Sequence, residues 1–350
     1  MAATATGIYH RSYAAALALR HTRAEYARLA LLAIVLAAAP FVLPPFWLRV
    51  ACQAGIAAIG AIGLNVLTGF TGQISLGQGG FLAVGAYTSA NLVARLGLPT
   101  PVGIVAGVVM TALVGAFFGL PALRLKGLYL AIATLAAQEI ILWTVRNWEV
   151  VTGGTDSLGV TSPQLLGFTL SSDFAWYWVI LALAGLAALA AANLFRTGLG
   201  RAFVAIRDQD IAAEAAGVDV VRYKVLAFAV SSAFVGLAGG LTAHYTGIVT
   251  WERFTFDVSV VYVAMIIVGG LGSVAGSLYG AVFMIALPAG ITRLGAALRD
   301  GLPGLATKLP ALQLAAFGLV IMLFLIFEPR GLAQVWQRMK DYVRLWPFRH

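Results

Sequence analysis

Cysteine is nearly missing from this chain. Cys52 stands alone in an apolar segment, which excludes an internal disulfide and leaves the redox compartment open. Histidine is just as thin: His10, His21, His244 and His350 lie far apart, and neither HExxH nor CxxC occurs. No metal centre is therefore built from neighbouring ligands. A GxxxxGK[ST] loop is missing too, since none of Lys126, Lys224, Lys308 or Lys340 follows a glycine. If the protein moves anything with ATP, a separate chain must hold the nucleotide. Charge is scarce as well. Only 11% of the 350 residues are charged, whereas a soluble domain carries about a quarter, so this chain cannot cover itself in water. The net charge of +9 does not point to nucleic acid, because the basic residues form no single patch.

What is abundant is apolar length. With 61% hydrophobic residues spread from end to end, the chain reads as one all-α polytopic membrane domain. A hydrocarbon core of about 30 Å needs about 20 apolar residues per helix. That rule predicts ten spans, at roughly 29–45, 50–68, 78–95, 101–123, 127–146, 174–195, 224–247, 256–271, 273–292 and 311–328. Residues 1–28 form a polar leader, 29–330 the transmembrane domain and 331–350 a basic tail. The leader and the nine further spans argue that the first span is not a cleaved signal peptide.

Basic residues test the topology, because cytoplasmic loops are enriched in lysine and arginine. Placing Arg11, Arg20, Arg23 and Arg28 inside also puts Arg124 and Lys126, the loop 196–224 and the tail with Arg330, Arg338, Lys340, Arg344 and Arg349 inside. The loop 147–173, expected outside, has no lysine or arginine and carries Glu149, Asp156 and Asp173. Ten spans with both termini cytoplasmic satisfy this pattern.

Glycines recur every four residues at Gly272/Gly276/Gly280, Gly103/Gly107, Gly115/Gly119 and Gly236/Gly240, making grooves for close helix approach. Packing within one subunit is the simpler use of them; a subunit interface is the other. Two segments depart from plain membrane helix. Gly63 to Ala90 places Asn65, Thr68, Thr71, Gln73, Ser75 and Gln78 among glycines at membrane depth. Irregular backbone there is tolerated where protein buries it or a wet cavity meets it, and broken helices are how many transporters hold solutes. A polar turn between spans is the plainer alternative. Gly269 to Phe283 is similarly glycine-rich, a match too weak to establish a duplication. Glu139 lies in the fifth span, where a carboxylate is expensive unless paired or wet. Arg146 is two helical turns from it, too far for direct contact. His244 reads as structural or interfacial, and Asp257 as a residue at a span mouth.

The loop 196–224 holds five basic and four acidic residues in an otherwise oil-like sequence. Its residues 201–207 suit a helix with Phe203 and Ile206 on one face. Asp208 or Asp210 is placed to cap a second short helix over 211–216, and Gly217 suits its stop. A passive connector has no need of this order, so the loop reads as a docking surface for a soluble partner.

At this point the chain resembles a known family: the membrane permeases of ABC importers for branched-chain amino acids, LivM type. The likeness rests on GLNVLTGFTGQISLGQGGFLAVGAYT (Gly63–Thr88), YLAIATLAAQEIILWTVRNWEVVTGGTDSLGV (Tyr129–Val160), GRAFVAIRDQDIAAEAAGVDVVRYKVLAF (Gly200–Phe228) and GGLGSVAGSLYGA (Gly269–Ala281), in the family's order. TGGTDSL (Thr152–Leu158) resembles the LivM external loop, with Ser157 where the family usually has glycine. The resemblance implies an ABC importer permease fold in the bacterial inner membrane, with no ATPase site of its own. It gives Arg201, Arg207, Asp208, Glu214 and Gly217 the role of coupling to the ATPase. Asn65, Thr68, Gln73, Ser75, Gln78 and Glu139 become candidates for the translocation pathway. It further implies a LivH-type permease subunit, two ABC ATPase subunits that use ATP and Mg, and a periplasmic substrate-binding protein. The chain itself is expected to bind no cofactor. Urea or another small polar solute is an alternative cargo, and an ion-coupled secondary transporter is the rival class.

Overall fold

In the computed structural model, the described residues are 23–160, 164–165, 168–170, 172–297, 305–328 and 331–345. Expectations for Arg11, Arg20, Arg330, Arg349, His10, His21 and His350 lie outside them.

A helix occupies each of the ten apolar segments. In chain order these are α1 (Arg23–Val42), α2 (Pro45–Asn65), α3 (Gln78–Leu96), α4 (Thr100–Gly119), α5 (Leu128–Asn147), α7 (Asp173–Leu194), α10 (Val220–Thr246), α11 (Phe256–Gly269), α12 (Val274–Ala297) and α13 (Leu305–Phe327). Between them lie the short α6 (Glu149–Thr152), α8 (Gly198–Asp208) and α9 (Asp210–Ala215), and α14 (Gly331–Leu345) follows the last. Seven of the described helices are long and apolar enough to cross a membrane: α2, α4, α5, α7, α10, α12 and α13. The protein is thus an all-α, multi-pass membrane protein.

Local chemistry sets many boundaries. Pro45 starts α2 with its fixed φ, at a position where its missing N–H is no loss. Ser172 and Asp219 cap α7 and α10 by accepting from Ala175 N and Arg222 N. The second span differs most from its expected form. Its helix begins earlier, at Pro45, and past Asn65 widens into a π turn over Val66–Phe70. An extended stretch then runs to Gly77.

Helices α3, α4 and α10 form the tightest part of the core, and small residues explain why. A Cβ on Gly107 would stand 2.8 Å from Gly85 O, and one on Gly236 2.6 Å from Thr111 Oγ1 and 3.1 Å from Gly107 O. Gly119 faces Phe228 in the same way, at 2.9 Å. Gly276 meets the backbone of Gly269 and Gly270 where α11 turns into α12. These glycine grooves are therefore filled from within the chain, by backbone contact that a side chain would prevent. Around this core, α2 packs between α7, α10 and α12, while α5 leans mainly on α3 and α13 on α12.

At one end of the bundle the two outward-expected loops join. β1 (Leu158–Gly159) pairs antiparallel with β4 (Ile248–Val249), and Val160 N donates to Gly247 O. β2 (Gln164–Leu165) and β3 (Phe168–Thr169) make a second two-stranded ribbon. Arg146 stacks over the Trp251 ring at 5.0 Å and donates to Leu142 O, so it is engaged away from Glu139. Asp173 binds Arg49 at 3.1 Å and accepts from the Tyr245 hydroxyl. The other end carries α8 and α9.

Candidate functional site

The break after α2 is held by a ring of specific hydrogen bonds. Asn65 is buried and uses its whole amide: Nδ2 donates to Ser273 O at 2.9 Å and Ser277 Oγ at 2.7 Å, while Oδ1 accepts from Gly272 N at 2.9 Å. It therefore clasps the first glycine-rich segment to the second. Neither segment announced this pairing in the sequence. Thr71 Oγ1 donates to Val66 O, Thr68 Oγ1 to Gln73 O, and Gln73 N to Leu67 O, so side chains replace the helical bonds lost at the break.

Beyond the break, side chains alternate. Thr71, Gln73 and Ser75 point inward, whereas Gly72 and Ile74 are exposed. Ser75 Oγ accepts from Gly77 N, and Leu76 N donates to Thr134 Oγ1 on α5. Gln78 Nε2 donates to Gly60 O. Gly79 N donates to Ser259 Oγ, which in turn donates to Gln138 Oε1 at 2.6 Å. Gln138, Thr134, Ser259 and Ser277 escaped the sequence reading because isolated polar residues in apolar runs carry no spacing signal. Of the six pathway candidates, Asn65, Gln73, Ser75 and Gln78 are enclosed and Thr68 is half-buried. Glu139 alone is exposed, on an α5 face it shares with Ile132, Ile140 and Trp143.

The charged loop grips this break directly. Arg207 Nη1 donates to Gly69 O at 3.2 Å, while its Nε and Nη2 hold Asp208 Oδ1 at 3.0 and 2.9 Å. Gly69 has no room for a side chain between Asn65 and Gly272. Gly72 sits at φ +73°, conformation open to glycine, with the Arg207 side chain against it. Phe70 stacks on Phe195, ring centroids 3.4 Å apart.

Two expectations for the loop need correction. Phe203 and Ile206 do not present an apolar face to a partner. Both are buried: Phe203 packs with Val66, Leu67 and Phe228, because the loop folds back onto its own spans. Nor do Asp208 and Asp210 cap α9 with their side chains; Gln209 occupies that position. Asp210 instead bridges Lys126 and Lys224, the second contact at 3.6 Å. The Lys126 hydrogen bond and the charges of Lys126 and Lys224 hold the Asp210 carboxyl below its ordinary range. Gly217 ends α9 as its position suggested, at φ +88°, with Val218 N reaching back to Ala213 O.

Two surfaces result. Facing inward, Thr71, Gln73, Lys126, Arg207, Asp210 and Lys224 help line a polar cavity of about 210 Å³, and the Gln73 amide is buried beside it without a protein partner. Facing outward, Arg201, Asp208, Gln209, Ala212, Glu214 and Gly217 are exposed, and so is Ile211, at 71%. That isoleucine was missed in the sequence because its place in the short helix Asp210–Ala215 gave no hint of its direction. Among the described residues there is no cluster able to hold a metal ion.

Residues 46–327 match the family described as "Branched-chain amino acid transport system / permease component". The chain is 35% identical over 277 residues to the high-affinity branched-chain amino acid transport system permease protein LivM of Escherichia coli, covering 72% of this chain and 65% of that protein. Against the Salmonella typhimurium LivM the identity is 34% over 278 residues, with 73% and 65% covered. A probable branched-chain amino acid transport permease protein LivM of Methanocaldococcus jannaschii is 26% identical over 302 residues, with 83% and 85% covered. The chain thus spans 65% of the length of the first two relatives. No solved structure matches it.

Proposed function

Because the chain belongs to the branched-chain amino acid transport permease family, we propose that it is a permease subunit of an ATP-driven importer. Its cargo is branched-chain or related amino acids. On this reading the chain crosses the bacterial inner membrane ten times with both termini in the cytoplasm. It pairs with a LivH-type permease, two ABC ATPases bind ATP and Mg, and a periplasmic protein delivers the solute.

The observation that carries this reading is the Arg207 bridge between loop and broken helix. The outward surface of α8 and α9, with Ile211 as apolar anchor and the exposed Arg201, Asp208 and Glu214, suits a groove on the ATPase. Closure of the ATPase pair moves these two helices. The buried Phe203 and Ile206 make them move as one body with their own spans. Arg207 and the Phe70–Phe195 stack then convey the displacement to residues 66–77. That segment yields before an intact helix would, because its bonds run through side chains rather than a continuous backbone ladder. Asn65 carries the motion on to α12 through Ser273 and Ser277.

Glu139 marks the side from which the solute passes. A carboxylate near the middle of a lipid-facing helix costs roughly 3 kcal/mol on insertion scales, so that face of α5 belongs against the second permease and the wet path between them.

Reconstitution decides the matter. The chain is placed in liposomes alone, then with its permease partner, its ATPases and the binding protein, and leucine uptake is followed with ATP hydrolysis. Uptake is expected only in the full assembly with ATP. Uptake by the chain alone, driven by an ion gradient, overturns the proposal.

A further inference from the structure

Helix α14 lies beyond the family match, which ends at residue 327, and has no part in the coupling site. Its first turn is anchored. Gly331, at φ +73°, fits against the backbone of Gly269 and Gly270, where a Cβ would stand 2.6 Å from Gly270 N. Leu332 packs on the main core, and Arg338 pairs with Glu328. The second half is not covered. Trp336, Met339 and Tyr342 are 57%, 56% and 70% exposed, and their spacing lines them along one helical face. Gln337 lies on the opposite side and is exposed as well, while Arg338, also exposed, flanks the face one turn before Tyr342.

We propose that this face of α14 lies in the headgroup layer of the membrane and is a binding surface for anionic lipid. Three observations select a bilayer as the occupant. The preceding helix α13 is an apolar span with none of its window buried in the protein, so it ends in lipid. Residues 328–330 alone separate it from α14, and three residues reach about 10 Å at most, which keeps α14 within the interfacial zone. The exposed Trp336 and Tyr342 are the residue types that sit at headgroup level, where an aromatic ring is half in and half out of water, and Met339 between them adds apolar surface. The sequence places Arg338, Lys340 and Arg344 on this helix against the acids Asp341 and Glu328, the latter already paired with Arg338, and the remaining excess is basic, the sign that complements acidic headgroups. The anchored first turn ties this contact to the corner between α11 and α12, next to Gly272 and Arg207.

Spin labels test the proposal on the full-length chain in vesicles, in a Cys52→Ser background, with and without the ATPases. Labels replace Trp336, Met339, Tyr342 and, as control, Gln337, all exposed positions whose substitution leaves the packing untouched. Collision with dissolved oxygen, which concentrates in lipid, is compared with collision by a water-soluble nickel chelate. The expected result is an oxygen-to-nickel ratio several-fold higher at 336, 339 and 342 than at 337. Adding phosphatidylglycerol to phosphatidylcholine vesicles is expected to raise that contrast. Labels equally open to nickel at all four positions, or shielded from both reagents because protein covers the face, would overturn it. A contrast that ignores phosphatidylglycerol overturns the anionic part. None of these readings depends on transport, so failure of the importer reading leaves the test intact.

Discussion

At the scale of residues, Arg207 and Asp210 do different work within one loop. Arg207 has three donors in use at once, a fork that a lysine ammonium does not reproduce. Arg207→Lys is therefore expected to lower leucine uptake per ATP hydrolysed by several-fold, with assembly retained; equal coupling in the variant would refute the bridge. Asp210→Asn leaves Lys224, buried at 7% exposure, without its counter-charge, a loss of about 1–3 kcal/mol. Thermal unfolding in detergent measures it. The Asp210 carboxyl titrates lower in the folded protein than in the unfolded chain. Its contribution is thus present above the unfolded value and disappears as pH falls through the folded one. Hydrogen-exchange protection over residues 205–216, referred to the intrinsic rate at each pH, should fall in acid for the wild type and much less for Asp210→Asn. The sequence exposed both residues as charges in a loop. It did not show that one points at Gly69 and the other at two lysines, since partners 138 positions apart in the chain leave no local trace.

At the scale of elements, small residues decide how closely helices sit. Gly107→Leu drives a side chain into Gly85 O across the α3–α4 seam, and overpacking of this kind costs about 1–3 kcal/mol or more. Gly185→Ala, on the open side of α7 with nothing within 4 Å, is expected to be neutral or slightly stabilising, by up to about 1 kcal/mol. Melting temperatures of the two variants side by side test this, and equal effects would mean the seam is loose. The four-residue glycine spacing was readable as helix packing, but which helix fills which groove was not. The same holds for the loop helices: periodicity located α8 and its apolar face, and only the fold turned that face inward.

At the scale of the whole molecule, α5 stands out as a helix that leans on α3 and leaves a broad face uncovered. Cysteines placed at Ile132 and Trp143 are expected to react with a lipid-soluble maleimide in the lone chain and to be protected several-fold once the second permease is present. Unchanged labelling would move the subunit seam elsewhere. By itself the sequence determined the class and the helix locations, because a bilayer imposes length and apolarity on every span and these are local properties of the chain. It also located the charged loop, since charge survives in such a protein only where water or a partner meets it. The tertiary structure alone decided what those polar residues do. Asn65 and Gln78 close hydrogen bonds to distant backbone, Arg207 reaches the break in the second span, Ile211 is left outside and Glu139 faces away from the bundle. The physical reason is that burial of a polar group demands a partner, and in this fold most of those partners come from segments far along the chain.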